Sequence, residues 1–146
     1  MVLIGIVIGI ANIAVVRKYI PRFEKNTWGV SLILVALIYV AFLLRGGEGN
    51  WLWIEPAGVV FYGIFAVVGM TVSPATLGVG WLLHAFWDAG LHSGDAVEFV
   101  PSWYLGFCLG FDLAVGPYLF TRIRAWSEMD GSKILDADID PAEEPG

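Results

Sequence analysis

A membrane-embedded, all-α bundle of five helices is the fold class this sequence predicts, and three observations predict it. Hydrophobic residues make up 58% of the chain and charged residues 15%, with a mean hydropathy of +0.73; soluble domains carry about 25% charged residues. The apolar residues fall into five runs, with the charges gathered in short links and a tail, and each run is near the roughly 20 residues a spanning helix needs. The basic residues are lopsided: with five spans, Arg17, Lys18, Arg22, Lys25, Arg122, Arg124 and Lys133 share one side, and Arg45 faces the other. Four spans, the alternative, would split the two basic groups. The positive-inside rule then describes a multi-pass protein of the cell membrane, N-terminus outside and C-terminus cytoplasmic.

The first helix is expected over residues 2–20, ending at Arg17-Lys18. It reads as a retained helix, because neither a basic leader nor a small-residue cleavage site accompanies it. A polar link with Arg22, Glu24 and Lys25 follows. The second helix covers 28–44 and stops at the turn-forming cluster Arg45-Gly-Gly-Glu-Gly-Asn50. The third covers 51–72, with Pro56 tolerated in its first turn. Val59 to Leu83 is apolar throughout, and one continuous helix there would overrun the bilayer, so a turn is expected at Ser73-Pro74. The fourth helix covers 75–92. The fifth covers 102–120, after a link holding Asp95, Glu98 and Pro101.

Residues 1–126 thus form a transmembrane domain, and 127–146 an acidic, disordered cytoplasmic tail. The tail carries much of the net charge of −6, and such acidity suits a protein working in high salt. Trp28, Trp51, Trp53, Trp103 and Trp126 fall near segment ends, where indoles favour the interface. Gly5-xxx-Gly9 and Gly106-xxx-Gly110 read as close helix packing within one subunit, or as a homo-oligomer contact. No repeat, phosphate loop or basic patch points to nucleotide or nucleic acid; the basic residues are topological anchors. Cys108 is the only cysteine. It excludes an intramolecular disulfide and reads as a small buried hydrophobe.

The chemistry concentrates on one segment, Trp81-Leu-Leu-His84-Ala-Phe-Trp87-Asp88-Ala-Gly-Leu-His92, which holds both histidines of the chain. In a helix, the spacing of four residues puts His84, Asp88 and His92 on one face, each about 40° round from the last. Ionisable groups within a bilayer are costly and mark function by default. At a rise of about 1.5 Å per residue, Asp88 lies about 6 Å and His84 about 12 Å below His92. Asp112, descending the fifth helix, reaches the level of His84; Glu55 reaches that of Asp88; Asn12 comes to roughly the depth of Asp112.

His84 and His92 are about two turns apart, too far to share an ion. The metal site this pattern predicts is His84 with Asp88, completed by Asp112 and by Glu55 or water. One divalent metal suits that donor set, zinc first. An open coordination position would allow hydrolysis of an apolar or lipid substrate from the surrounding bilayer, with Glu55 and His92 as the catalytic, proton-handling groups. Haem is excluded, since bis-histidine ligation needs imidazoles on opposite faces of the ring. Two further readings stand beside the metal: a self-satisfied hydrogen-bond network, and a metal-free proton or ion pathway. Each residue also has a plain reading. Glu55 would be interfacial at a helix start, Asn12 a helix–helix bond, and Tyr39, Tyr62 and Tyr104 packing residues.

The run His84-Ala-Phe-Trp87-Asp88-Ala-Gly-Leu-His92 resembles the His-x-x-Trp-Asp…His signature of a family of small prokaryotic membrane proteins known as a domain of unknown function. The resemblance implies a multi-span membrane protein and no particular activity. His84-xxx-Asp88 is similar to the zinc-binding His-xxx-Asp pair of cation diffusion facilitators; their second, Asp-bearing half-motif is missing unless Asp112 replaces it. Membrane ceramidase-like hydrolases also surround zinc with histidines and an aspartate, but need a third histidine that this chain lacks. Three function classes follow: a metal-dependent membrane enzyme, a small ion, proton or metal transporter, and an accessory membrane subunit. In an accessory subunit His84 and Asp88 would point outward to a partner helix.

Overall fold

The computed structural model describes residues 1–92 and 99–138, with side chains as far as residue 131. The expected polar link with Asp95 and Glu98, and the tail beyond residue 138, lie outside the described residues. Among the described residues five α-helices form the bundle: α1 (Val2–Tyr19), α2 (Glu24–Gly46), α3 (Trp51–Thr71), α4 (Ala75–Leu91) and α5 (Ser102–Asp138), with a short 3-10 turn at Pro21–Phe23. No strand occurs among the described residues. Val2–Tyr19, Pro21–Gly46, Trp51–Thr71 and Ser102–Gly131 are long and apolar enough to cross a membrane. The remaining helix, α4, has 17 residues.

The chain runs up and down. The α3–α4 turn falls at Ser73-Pro74, where the Thr76 N–H donates to the Ser73 carbonyl and the Leu77 N–H to that of Pro74. Gly69 lets the two helices close on this turn: a Cβ there would lie 2.5 Å from Leu77 Cγ. Helices α1 and α5 run parallel and unusually close. A Cβ on Gly5 would lie 2.0 Å from the Phe107 carbonyl oxygen, and one on Gly110 2.0 Å from that of Val2. The two Gly-xxx-Gly pairs therefore face each other within one chain, the small-residue packing expected where no hydrophobic drive separates helix from lipid.

Two boundaries, the place of one proline and two tryptophans differ from expectation. Helix α2 starts a turn earlier than residue 28, because Glu24 is a buried member of it. Pro56 is the sixth residue of α3, beyond its first turn. Helix α5 continues past residue 120 to Asp138; no proline interrupts it there, and Arg124 pairs with Glu128 one turn on at 2.9 Å. Trp28 and Trp126 are core residues, 2% and 1% exposed, rather than interfacial ones. Trp28 packs edge-on to Trp81, and the Trp126 indole N–H donates to Glu24 at 3.3 Å. Trp53 and Trp103 do lie exposed.

Both basic groups sit at one end of the bundle, as the odd number of helices requires. Arg122 there pairs with Glu24 at 3.0 Å, and Lys25 with Asp130. Between that end and the polar residues lies an apolar layer in which Leu32, Leu77, Trp81, Val115 and Leu119 are fully buried.

Candidate functional site

Helices α4 and α5 run antiparallel, so pairs of residues four apart on each can meet. Asp88 lies one turn beyond His84 on α4; Asp112 lies one turn beyond Cys108 on α5. All four are buried, and they offer one ligand atom each within 4.8 Å of one another. His84 Nδ1 is 2.7 Å from Asp112 Oδ2, 3.8 Å from Asp88 Oδ1 and 4.0 Å from Cys108 Sγ.

Helices α2 and α3 complete the surround. The Tyr39 hydroxyl donates to Asp88 Oδ1 at 2.6 Å, and the Tyr62 hydroxyl to the Leu83 carbonyl at 3.2 Å. Both rings lie against His84, with centroids 5.7 and 4.9 Å away. One turn toward the Arg45 end, His92 Nε2 meets Glu55 Oε1 at 2.7 Å. Tyr39 and Trp51 flank that imidazole at 4.6 and 5.2 Å between centroids. A polar file thus runs inward from Glu55 and His92, past Tyr39, to Asp88, His84 and Asp112, and ends on the apolar layer.

The predicted depths of His84 and Asp112 agree with their hydrogen bond. Glu55 joins His92 rather than the His84 group, so the two form a separate outer pair. Asn12 does not join the cluster. It is exposed and donates to the Ile8 carbonyl one turn back at 3.1 Å; depth alone left the rotation of an evenly apolar helix undetermined. His84 and Asp88 point into the bundle, 1% and 0% exposed, which is opposite to the orientation an accessory subunit would need. Cys108 and Tyr39 enter the site although the sequence reading treats them as packing residues. The spacing of Cys108 to Asp112 repeats that of His84 to Asp88, and was the signal available for the cysteine. Tyr39 carried none.

A fully self-satisfied network does not form among these side chains. Asp88 Oδ2, Asp112 Oδ1 and His92 Nδ1 are buried without a hydrogen-bond partner, and each such group costs about 1–3 kcal/mol. Two carboxylate oxygens left over beside an imidazole and a thiol form a donor set that fits a cation. Tetrahedral zinc sets N and O donors roughly 3.3 Å apart and N and S donors roughly 3.6 Å apart; the 3.8 Å from His84 Nδ1 to Asp88 Oδ1 and the 4.0 Å to Cys108 Sγ need little adjustment. The 2.7 Å His84–Asp112 contact is a hydrogen bond that would have to open.

These features define a helical, membrane-type bundle with a buried His/Asp/Cys/Asp group between its last two helices. The chain belongs to a family of unknown function, DUF6010, whose model matches residues 1–125. No curated protein and no solved structure matches it.

Proposed function

We propose that the protein is an intramembrane metalloprotein of the cell membrane, binding one divalent transition metal of the zinc class through His84, Asp88 and Asp112, with Cys108 within reach. The single observation that carries this reading is the pair of unpartnered, buried carboxylate oxygens, Asp88 Oδ2 and Asp112 Oδ1, beside His84. With three protein ligands the ion would supply Lewis-acid activation of water, which is hydrolytic chemistry. Tyr39 orients Asp88, and the outer Glu55–His92 pair holds a proton on the route to it. An apolar or lipid substrate is supported by a groove of about 430 Å³ on the α3/α4 face, whose wall includes Tyr62, Phe86 and Trp87. The same Tyr62 ring rests on His84.

Metal transport is the second reading. It is favoured by the matched pairs His84/Asp88 and Cys108/Asp112 on neighbouring helices, with Asp112 supplying the acidic residue that a second half-motif would need. The apolar layer of Leu32, Leu77, Trp81, Val115 and Leu119 below the site argues against a through path.

Metal analysis of protein purified in detergent without chelators tests the proposal. About one equivalent is expected in the wild type, with loss in His84→Ala and Asp112→Ala. A folded wild-type protein that takes up no zinc, cobalt or manganese on reconstitution sinks it. Cobalt then separates the uses: a thiolate-to-cobalt charge-transfer band marks Cys108 as a fourth ligand and a closed site, whereas its absence leaves the position hydrolysis needs. Zinc flux in proteoliposomes would favour transport.

A further inference from the structure

The far end of the bundle holds a second site, independent of the metal reading. A cavity of about 210 Å³ opens where the 3-10 turn, the start of α2, the end of α3 and the extension of α5 meet. Pro21, Met70 and Trp126 form its apolar walls, and Arg22, Lys25, Asn26 and Asp130 its polar ones.

Charge accounting decides what this cavity can take. Every acidic side chain described at this end already has a basic partner. Glu24 is fully buried and receives Arg122, Tyr118 and Trp126. Asp130 receives Lys25, and Glu128 receives Arg124. Among the described residues Arg22 forms no ion pair, and neither Arg22 nor Asn26 makes a side-chain hydrogen bond. The cavity therefore presents one uncompensated guanidinium, one unused amide, and the remaining protons of the Lys25 ammonium. Planar, forked N–H donors of arginine match phosphate oxygens, and the weak hydration of guanidinium keeps the exchange inexpensive. A basic pocket between membrane helices, at the end rich in Lys and Arg, is where anionic headgroups gather.

We propose that this cavity binds a phosphate group, that of an anionic phospholipid in the cytoplasmic leaflet. Arg22 grips the phosphate, Asn26 and Lys25 supply further donors, and the half-buried Met70 meets the glycerol carbons. Glu24 and its partners hold α2 against α5 and so keep the cavity open.

The full chain in a neutral detergent, titrated with short-chain phosphatidylglycerol, phosphatidylcholine or inorganic phosphate, tests this. Native mass spectrometry and the shift in unfolding temperature are the readouts. Phosphatidylglycerol should bind saturably at one site, and Arg22→Gln should weaken it by about tenfold or more. Asn26→Leu, which leaves the Lys25–Asp130 pair intact, should weaken it too. Arg45→Gln at the opposite end should leave the titration unchanged. Phosphatidylcholine binding equally well would overturn the proposal, as would both cavity variants titrating like wild type. Inorganic phosphate that competes in an Arg22-dependent way supports phosphate recognition. If it binds while phosphatidylglycerol does not, the lipid is overturned as occupant.

Discussion

Tyr39 on α2 donates its hydroxyl to Asp88 Oδ1 on α4 at 2.6 Å, and its ring touches both histidines of the chain, His84 at 5.7 Å and His92 at 4.6 Å between centroids. One side chain thereby links the outer Glu55–His92 pair to the inner His84 group and fixes which Asp88 oxygen remains free. Removing the hydroxyl in Tyr39→Phe leaves a second buried oxygen on Asp88 unpartnered. A stability loss of about 1–3 kcal/mol is expected, together with metal affinity lower by about 10–100-fold. Competitive metal titration and thermal unfolding measure the two effects. Unchanged metal affinity with normal folding would remove Tyr39 from the site.

The α1/α5 seam gives a sharper steric forecast. Gly5→Ala and Gly110→Ala would each set a methyl about 2.0 Å from a carbonyl oxygen of the facing helix, so the backbones must part. Overpacking of this kind costs about 1–3 kcal/mol. Gly63→Ala on α3 meets nothing within 4 Å and should leave the unfolding temperature unchanged or slightly raised. Equal behaviour of all three variants would contradict the seam.

Topology can be read by labelling. Glu48 and Glu128 are exposed and lie at opposite ends of the bundle, while Cys108 is 2% exposed and contributes little background. With the basic end cytoplasmic, an impermeant maleimide should label Glu48→Cys in intact cells and Glu128→Cys only after permeabilisation. The reverse pattern would invert the orientation.

Helix positions were legible because apolar runs and turn residues are local signals. Bilayer length required a turn inside the otherwise unbroken apolar run from Val59 to Leu83, and the Ser73-Pro74 pair placed it. The pairing of His84 with Asp112 followed from depth, since each helix advances a fixed rise per residue. Rotation was not legible: α1 buries only Gly5, Gly9 and Val16, its surface is apolar all round, and so Asn12 gave no sign that it faces away. Glu24 was hidden for another reason. Its partners Tyr118, Arg122 and Trp126 come from α5, some hundred residues on, and only the tertiary fold turns a link residue into a buried one. Cys108 shows the opposite failing, a spacing present in the sequence and passed over because thiols are so often mere packing.

The Glu24 cluster allows a test in which the order of effects matters more than their size. The carboxylate is fully buried, whereas Arg122 keeps 18% of its side chain exposed. Arg122→Met strands a charge in the interior, and breaking a buried pair from one side costs about 3–5 kcal/mol. Tyr118 and Trp126 still donate to Glu24, which holds the loss toward the lower figure. Glu24→Gln should cost less, because the freed guanidinium can reach water along its flexible stem. The double variant Glu24→Leu with Arg122→Met removes both charges and should recover much of the loss of Arg122→Met alone. Unfolding temperatures in one detergent are expected to rank wild type first, then Glu24→Gln, with Arg122→Met lowest and the double variant above it. A double variant that falls below Arg122→Met would mean that the pair adds net stability, rather than offsetting the cost of burying its own charges.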